Sequence, residues 1–339
     1  MELHRELNAL KKTEYPWLYE VSKCAPQEAL RDLGRAYGNF FRRVELANQG
    51  RHKGNVGFPR FKSRRKGLGS FRLTGSIHVE GSRVKLPRLG WIRLKESDYL
   101  PAESEAVHVL SACVSERAGR WFVSLQVEQV QEDPLPTSGP PVGIDMGVRT
   151  LATCSYGMEE HVHCENPKAL HAGARKLRRL QKKLSRQKKG SNRREVTRKK
   201  IAGRHYRISC VRSDAMHKAT SEIVAKAKPP SLRPSVVALE DLNVSGMMKN
   251  RRLARSVADA SMREFRRQME YKCSWYGIEL AVVPRFEATS KLCSRCGWGK
   301  TDLSLSERTF HCESCDTTQT ETKTLLTTYL CSPGVPRRP

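Results

Sequence analysis

Val142-Gly143-Ile144-Asp145-Met146-Gly147-Val148-Arg149 decides the fold: an apolar run ends in a carboxylate, and a glycine follows. Val142–Ile144 reads as a strand and Leu151–Tyr156 as its hairpin partner, because apolar and β-branched residues fill both runs. A second stretch repeats the pattern. Val236-Val237-Ala238-Leu239-Glu240-Asp241-Leu242 is again a buried strand closed by an acid. A helix over about 256–275 leads to a third strand, Ile278–Val283. Strands alternating with helices predict a mixed α/β layer that opens at Pro141.

Asp145 and Glu240 are the candidate catalytic residues. Two strand-end carboxylates on neighbouring strands could share Mg²⁺. Two such ions about 4 Å apart stabilise the attacking and leaving oxygens of phosphodiester hydrolysis. Taken singly, each acid also fits the plainer role of a turn or cap residue at a strand end.

Upstream, residues 132–141 (Glu-Asp-Pro-Leu-Pro-Thr-Ser-Gly-Pro-Pro) read as a linker. Short β runs at Ile77–Val79, Val84–Leu86, Trp91–Leu94 and Trp121–Val127 predict a small β-domain between Ser70 and Val130. Residues 48–70 are a glycine-rich basic loop by composition, and residues 1–45 are helical by spacing. In that helix Leu30, Leu33, Tyr37, Phe40 and Phe41 recur between arginines. The loop Phe58-Pro-Arg-Phe-Lys-Ser-Arg-Arg-Lys interleaves aromatics with Arg60, Lys62, Arg64 and Arg65. This suits stacking on bases and gripping a backbone, and equally suits two core aromatics under a solvated loop.

Downstream, 168–228 is a long basic helical stretch. From Arg175 to Lys200 it holds fourteen Lys or Arg and one acid, Glu195. So many like charges repel one another unless phosphates lie alongside. Arg175, Lys176, Arg178, Arg179, Lys182, Lys183 and Arg186 are the candidate nucleic-acid contacts, above an apolar stripe of Leu170, Leu177, Leu180 and Leu184. Phosphate contacts carry no base specificity.

Cys293-Ser-Arg-Cys296 and Cys312-Glu-Ser-Cys315, fifteen residues apart, supply four thiolates at zinc-ribbon spacing. Zinc held by four sulfurs has no open position, so the site is expected to be structural. The other seven cysteines (24, 113, 154, 164, 210, 273 and 331) are scattered and read as reduced structural residues. The chain of 339 residues is long enough for two or three domains, and its net charge of +27 favours a polyanionic partner. No apolar run is long enough for a membrane span and no signal-peptide core opens the chain, so a cytoplasmic location without membrane partners is expected.

The order of these segments resembles the TnpB family, OrfB-type transposon-encoded RNA-guided nucleases that are relatives of the compact type V CRISPR effectors. The carriers are Tyr15-Pro-Trp-Leu, Ala29-Leu-Arg-Asp-Leu, Phe58-Pro-Arg-Phe-Lys, Gly143-Ile-Asp-Met-Gly-Val, His217-Lys, Leu239-Glu-Asp-Leu-Asn-Val, Tyr271-Lys and Ser290-Lys-Leu-Cys-Ser-Arg-Cys-Gly. The resemblance implies an α/β, RNase H-like (RuvC-type) nuclease domain with an inserted four-cysteine zinc ribbon, preceded by a partial helical lobe and a small β-barrel. It also implies a guide RNA from the transposon end, a DNA target, Mg²⁺ at Asp145 and Glu240, and zinc at the four cysteines. On it we expect a partial helical recognition lobe at 1–45, a β-barrel wedge at 46–131 and a linker at 132–141. A RuvC-like domain at 142–288, a ribbon at 289–315 and a disordered tail at 316–339 follow.

Two departures bear on activity. Relatives usually begin with a strand and helices upstream of the segment that starts here, so Met1 reads as an internal start. After the last ribbon cysteine the family runs through a glycine to Asp-Arg-Asp-x-Asn-Ala-Ala, whose first Asp is the third catalytic carboxylate. Thr320 holds that position here, and its neutral hydroxyl cannot replace a carboxylate at a divalent ion. Codons for Asp316–Thr327, read again with one G in front, can encode Gly-His-Asn-Ala-Asp-Arg-Asp-Glu-Asn-Ala-Ala-Asn. A single-nucleotide deletion after Cys315 therefore accounts for the tail. The expected function is an RNA-guided DNA-binding protein, ancestrally an Mg²⁺-dependent endonuclease and here impaired. The alternatives are a nuclease-dead RNA-guided transcriptional repressor and a general zinc-ribbon nucleic-acid-binding protein.

Overall fold

Two units, Met1–Gln131 and Glu132–Pro339, divide the chain. The computed structural model describes residues 2–52, 54–60, 69–97, 107–156, 160–284, 293, 296, 298–300 and 309–320.

The first unit opens with helix α1 (Glu2–Thr13), a 3-10 turn at Pro16–Tyr19, and α2 (Cys24–Asn48). Its strands are β1 (Ser70–Thr74), β2 (His78–Glu80), β3 (Arg83–Leu86), β4 (Gly90–Arg93), β5 (Val107–Arg117) and β6 (Arg120–Gln129). They form two sheets, ordered β1-β5-β6 and β2-β3-β4. Leu73, Ile77, Val79, Val84, Leu86 and Ala112 fill one core between them. The barrel expected over 46–131 is not found closed among the described residues. Strands of three or four residues in β2, β3 and β4 pair only with one another, so each sheet keeps its own edges.

The second unit is built on a five-stranded sheet. Its strands are β7 (Val142–Met146), β8 (Thr150–Tyr156), β9 (Glu160–Glu165), β10 (Val236–Glu240) and β11 (Glu279–Val283), ordered β11-β10-β7-β8-β9. The sequence places β7, β8, β10 and β11 by their apolar runs. The β9 strand, a polar edge strand, was not expected, nor was β5, although its partial alternation of apolar and polar residues is itself a strand signal. The β8 and β9 strands pair antiparallel to their predecessors, whereas β10 and β11 run parallel to β7.

The basic helical stretch consists of two helices, α3 (Ala169–Ser185) and α4 (Asn192–Ile223). Gly190, at φ +86°, reverses the chain, and the Ser191 hydroxyl caps α4 by accepting from Arg194 N at 3.3 Å. The Arg194 guanidinium donates back to the carbonyls of Leu184 and Gln187 at the end of α3. The two helices meet closely at Gly173, where a Cβ would stand 2.8 Å from Ile208 Cδ1.

The helix expected at 256–275 is broken. Ser261 takes a left-handed conformation between α6 (Ala254–Ala260) and α7 (Met262–Tyr276), and a single turn, α5 (Val244–Met247), precedes them. Met216, Ala219 and Ile223 of α4 join Phe265, Met269 and Cys273 of α7 in a core with Val142, Ile144, Val237 and Leu239 of the sheet. Each of the larger side chains contributes about 1.5–3 kcal/mol by leaving water. Residues 132–141 are fastened to this unit. Gly139 N donates to Arg233 O at 2.8 Å, and the Thr137 hydroxyl donates to Pro234 O at 2.6 Å.

Candidate functional site

Parallel pairing matches Val142 with Val237, Gly143 with Ala238 and Ile144 with Leu239. One residue further along each strand stand Asp145 and Glu240. The two acids therefore end adjacent strands in the middle of the sheet. Side chains alternate between faces along a strand, and Ile144 and Leu239 point into the core beneath α4 and α7. Asp145 and Glu240 thus share the opposite face, and both are half-buried.

Beyond these strand ends a small apolar cluster closes the edge: Val257, Ala260 and Met262, with Met146, Leu242 and Val244 packed on it. A cleft of about 890 Å³ opens there, lined by Glu240, Asn243, Ser245, Arg263, Arg266 and Arg267 among others.

Sequence reasoning missed Arg266. Its guanidinium donates to Asp241, directly after Glu240, at 2.5 Å, and to Glu270 at 3.0 Å. That fork ties up the second acid of the Glu240-Asp241 pair. Its only sequence signal was an arginine on the helix following the strand.

A buried network fixes α7 against α4. Lys272 is 6% exposed, and its Nζ donates to His217 O at 3.0 Å, Thr220 Oγ1 at 2.7 Å and Ser221 Oγ at 2.8 Å. Burial holds its pKa below the ordinary lysine value, with Lys226 adding to the effect. The His217-Lys and Tyr271-Lys motifs, far apart in sequence, meet at this contact. Next to it the Arg267 guanidinium bonds the Glu264 carboxylate at 2.6 Å and draws its pKa down to about 2.

Asp259, buried, caps α3 from outside the helix. Its carboxylate accepts from Leu170 N at 2.9 Å and His171 N at 3.1 Å, where the helix dipole favours negative charge. The seven candidate contacts Arg175, Lys176, Arg178, Arg179, Lys182, Lys183 and Arg186 all lie on α3 and the turn after it, and all are exposed. In the first unit Arg60 is exposed, while Lys62, Arg64 and Arg65 lie outside the described residues. Phe58 is 62% exposed, yet it packs edge-on against Phe40 and Tyr37 of α2, with centroids 5.0 and 5.6 Å away.

Cys293, Cys296, Cys312 and Cys315 come together with all four sulfurs within 4.8 Å of one another. Cys293 Sγ lies 3.6 Å from Cys315 Sγ, and Cys296 Sγ lies 3.5 Å from Cys312 Sγ. A tetrahedron with metal–sulfur bonds of about 2.3 Å has sulfur–sulfur edges of about 3.8 Å, so the cluster fits one zinc-sized ion. Two backbone knuckles set it, Cys293 N to Trp298 O at 2.7 Å and Cys312 N to Thr317 O at 3.0 Å. The hairpin of β12 (Thr309–His311) and β13 (Thr318–Thr320) carries the second knuckle, so the ordered backbone runs past Cys315 to Thr320. The Thr320 side chain and residues 321–339 lie outside the described residues. Among the described residues no helix is long and apolar enough to cross a membrane.

Residues 124–251 match the OrfB_IS605 family model, described as "Probable transposase", and residues 263–321 match "Cas12f1-like, TNB domain". A protein of Streptomyces pristinaespiralis described as "Putative RNA-guided DNA endonuclease" is 36% identical over 310 residues, covering 91% of this chain and 71% of its own length. The Escherichia coli K12 protein with the same description, InsQ, is 34% identical over 319 residues, covering 89% of this chain and 72% of its own. A solved CRISPR-Cas12f ternary complex aligns at TM-score 0.45 and 16% identity over 83% of this chain, which spans 66% of that protein.

Proposed function

The chain belongs to the TnpB-type (OrfB_IS605) transposase family, and from that premise we propose that it binds DNA under the direction of an RNA but carries an incomplete cutting site. One observation carries this reading: Asp145 and Glu240 stand at the ends of adjacent parallel strands on one face, and Glu240 lines a cleft together with Arg263, Arg266 and Arg267. Asp145 at the end of the central strand supports an RNase H-like, RuvC-type nuclease domain. Those two acids would hold Mg²⁺, which when bound neutralises charge on the oxygens of the scissile phosphodiester.

The remaining groups are the protein's own. Arg263, along the cleft, presents a guanidinium to a backbone phosphate. Arg266 engages Asp241, the acid that follows Glu240. The cations of α3 grip the phosphate backbone without reading sequence. The four cysteines would hold Zn²⁺ as a closed structural centre, in place of an apolar core that so short a module cannot build. At Thr320 the third carboxylate is missing, in keeping with a reading frame shifted after Cys315. Two acids alone leave the metal site short of charge and donors, so binding outlives cleavage.

The test is plasmid cleavage with Mg²⁺ and RNA from the transposon end. The chain as it stands should bind the target and leave it uncut. Insertion of one G after the Cys315 codon should restore nicking, and Asp145→Ala in the repaired chain should return it to background. Nicking by the unrepaired chain would overturn the reading.

A further inference from the structure

The first unit carries a charged surface that neither the strand-end acids nor the basic helices account for. The β2-β3-β4 meander buries one face through Val79 and Val84, 7% and 1% exposed. Its pairing arranges the opposite face in two rows that cross the strands. His78, Lys85 and Trp91 form one row, and Glu80, Arg83 and Arg93 form the next. Gly90, at φ +71°, permits the tight turn that sets Trp91 opposite Lys85.

Trp91 stays 46% exposed. The Arg83 guanidinium stands 5.7 Å from its ring centroid and the Lys85 ammonium 5.9 Å away. Glu80, the one acid in the two rows, pairs with Arg83 at 3.6 Å and leaves the face net positive. Parking an indole under two cations is one way to shield a surface tryptophan. That alone does not account for Arg93 in the neighbouring row, nor for leaving nearly half the ring in water, which costs apolar burial. An exposed ring flanked by cations matches a flat π surface carrying phosphates on either side. Paired bases in a duplex hide their faces, whereas unpaired RNA bases are splayed out and stacked on aromatics.

We propose that this sheet face binds an unpaired nucleotide of an RNA strand, its base stacked on Trp91 and its flanking phosphates against Arg83, Lys85 and Arg93. The proposal rests on the reading that the chain binds RNA, and it adds where and how one base is held. The contact reads a base face and not an edge, so it tolerates any base.

The test uses the full chain and two probes: a hairpin RNA whose unpaired loop carries 5-iodouridine, and a blunt DNA duplex of the same stem sequence. Irradiation should cross-link the loop to the peptide containing Trp91. Trp91→Ala should weaken the hairpin by about five- to 150-fold, the range that stacking one base on one ring gives. Trp91→Phe should keep most of the affinity, and duplex DNA should bind all three proteins alike. An unchanged affinity of Trp91→Ala, an equal loss on duplex DNA, or a cross-link that avoids the meander would overturn the site. The cross-link is read on the unsubstituted chain, so it stands even where Trp91→Ala perturbs folding. Should the unsubstituted chain bind the duplex but no RNA, the RNA reading itself falls; should only the Trp91 arms fail, that reading survives.

Discussion

The four cysteines and the two strand-end acids are both places for a metal ion, and they are assembled in opposite ways. The cysteines come from two short knuckles within 23 residues, and local backbone hydrogen bonds shape each knuckle. The acids come from strands 95 positions apart in the chain (240 − 145), and they are neighbours only because the sheet folds. A local site is complete or absent as one unit. A site gathered over long range can lose one member and keep the geometry of the rest. Thr320 would illustrate this on the function proposed above: the ribbon hairpin that contains it forms, while the acid expected at its position belongs to the strand-end site.

The largest effect expected from this contrast is at the cysteines. Metal analysis should find one zinc per chain. Its removal by a chelator should cost the ribbon on the order of 10 kcal/mol of folding free energy. Amide exchange should rise across the β12–β13 hairpin and stay unchanged in the five-stranded sheet. A hairpin that keeps its protection without metal would break the contrast.

Next comes Lys272→Ala. It should lower the stability of the second unit by about 2–3 kcal/mol, because it leaves a void and strips buried acceptors of their donor. Chemical denaturation measures it, and zinc content should not change. Zinc lost in parallel would show that the two centres are one cooperative unit.

Thr320→Asp supplies charge at the position where the sequence comparison places the missing acid. It should tighten Mn²⁺ binding by roughly tenfold, since charge count tunes hard-cation affinity. The paramagnetic signal of free Mn²⁺ reports it, and an unchanged affinity would mean that Thr320 does not face the acids.

The smallest effect is in acid. The Glu264 pKa is near 2 when folded, below the ordinary 4.5, so its stabilisation is fully present above pH 4.5 and lost as pH falls toward 2. The carboxylate is partly exposed, so the loss between pH 5 and pH 3 should stay below about 1 kcal/mol. Glu264→Gln should flatten that dependence in a urea titration.

Much of this was legible in the sequence where the signal is local. Apolar runs betrayed β7, β8, β10 and β11, and the cysteine spacing gave the cluster outright. Elements without a local signal were missed. The β9 strand reads Glu-His-Val-His-Cys-Glu because an edge strand can carry polar residues, and only pairing to β8 reveals it. Ser261 breaks a helix through a backbone angle that serine rarely adopts, so no residue type announced it. The Lys272 network joins α4 to α7 across some fifty residues, which puts it beyond any window of spacing. The barrel was implied by the family resemblance, whereas the β runs themselves predicted only a small β-domain, because strand content does not fix which edges meet.

Asp259 and the carbonyl of Ala258, which accepts from Arg212 at 2.9 Å, clamp the basic helix pair at its root. Seventeen residues of α3 carry the turn at Gly190 roughly 25 Å from that clamp. The pair is a cantilever, loaded with charge along its span. A tilt of about five degrees at the root sweeps the tip by roughly 2 Å, enough to follow a polyanion as it bends. Deleting seven residues, about two turns, from each helix would draw the tip inward by about 10.5 Å and rotate its faces by only about 20°, which makes reach adjustable nearly independently of grip.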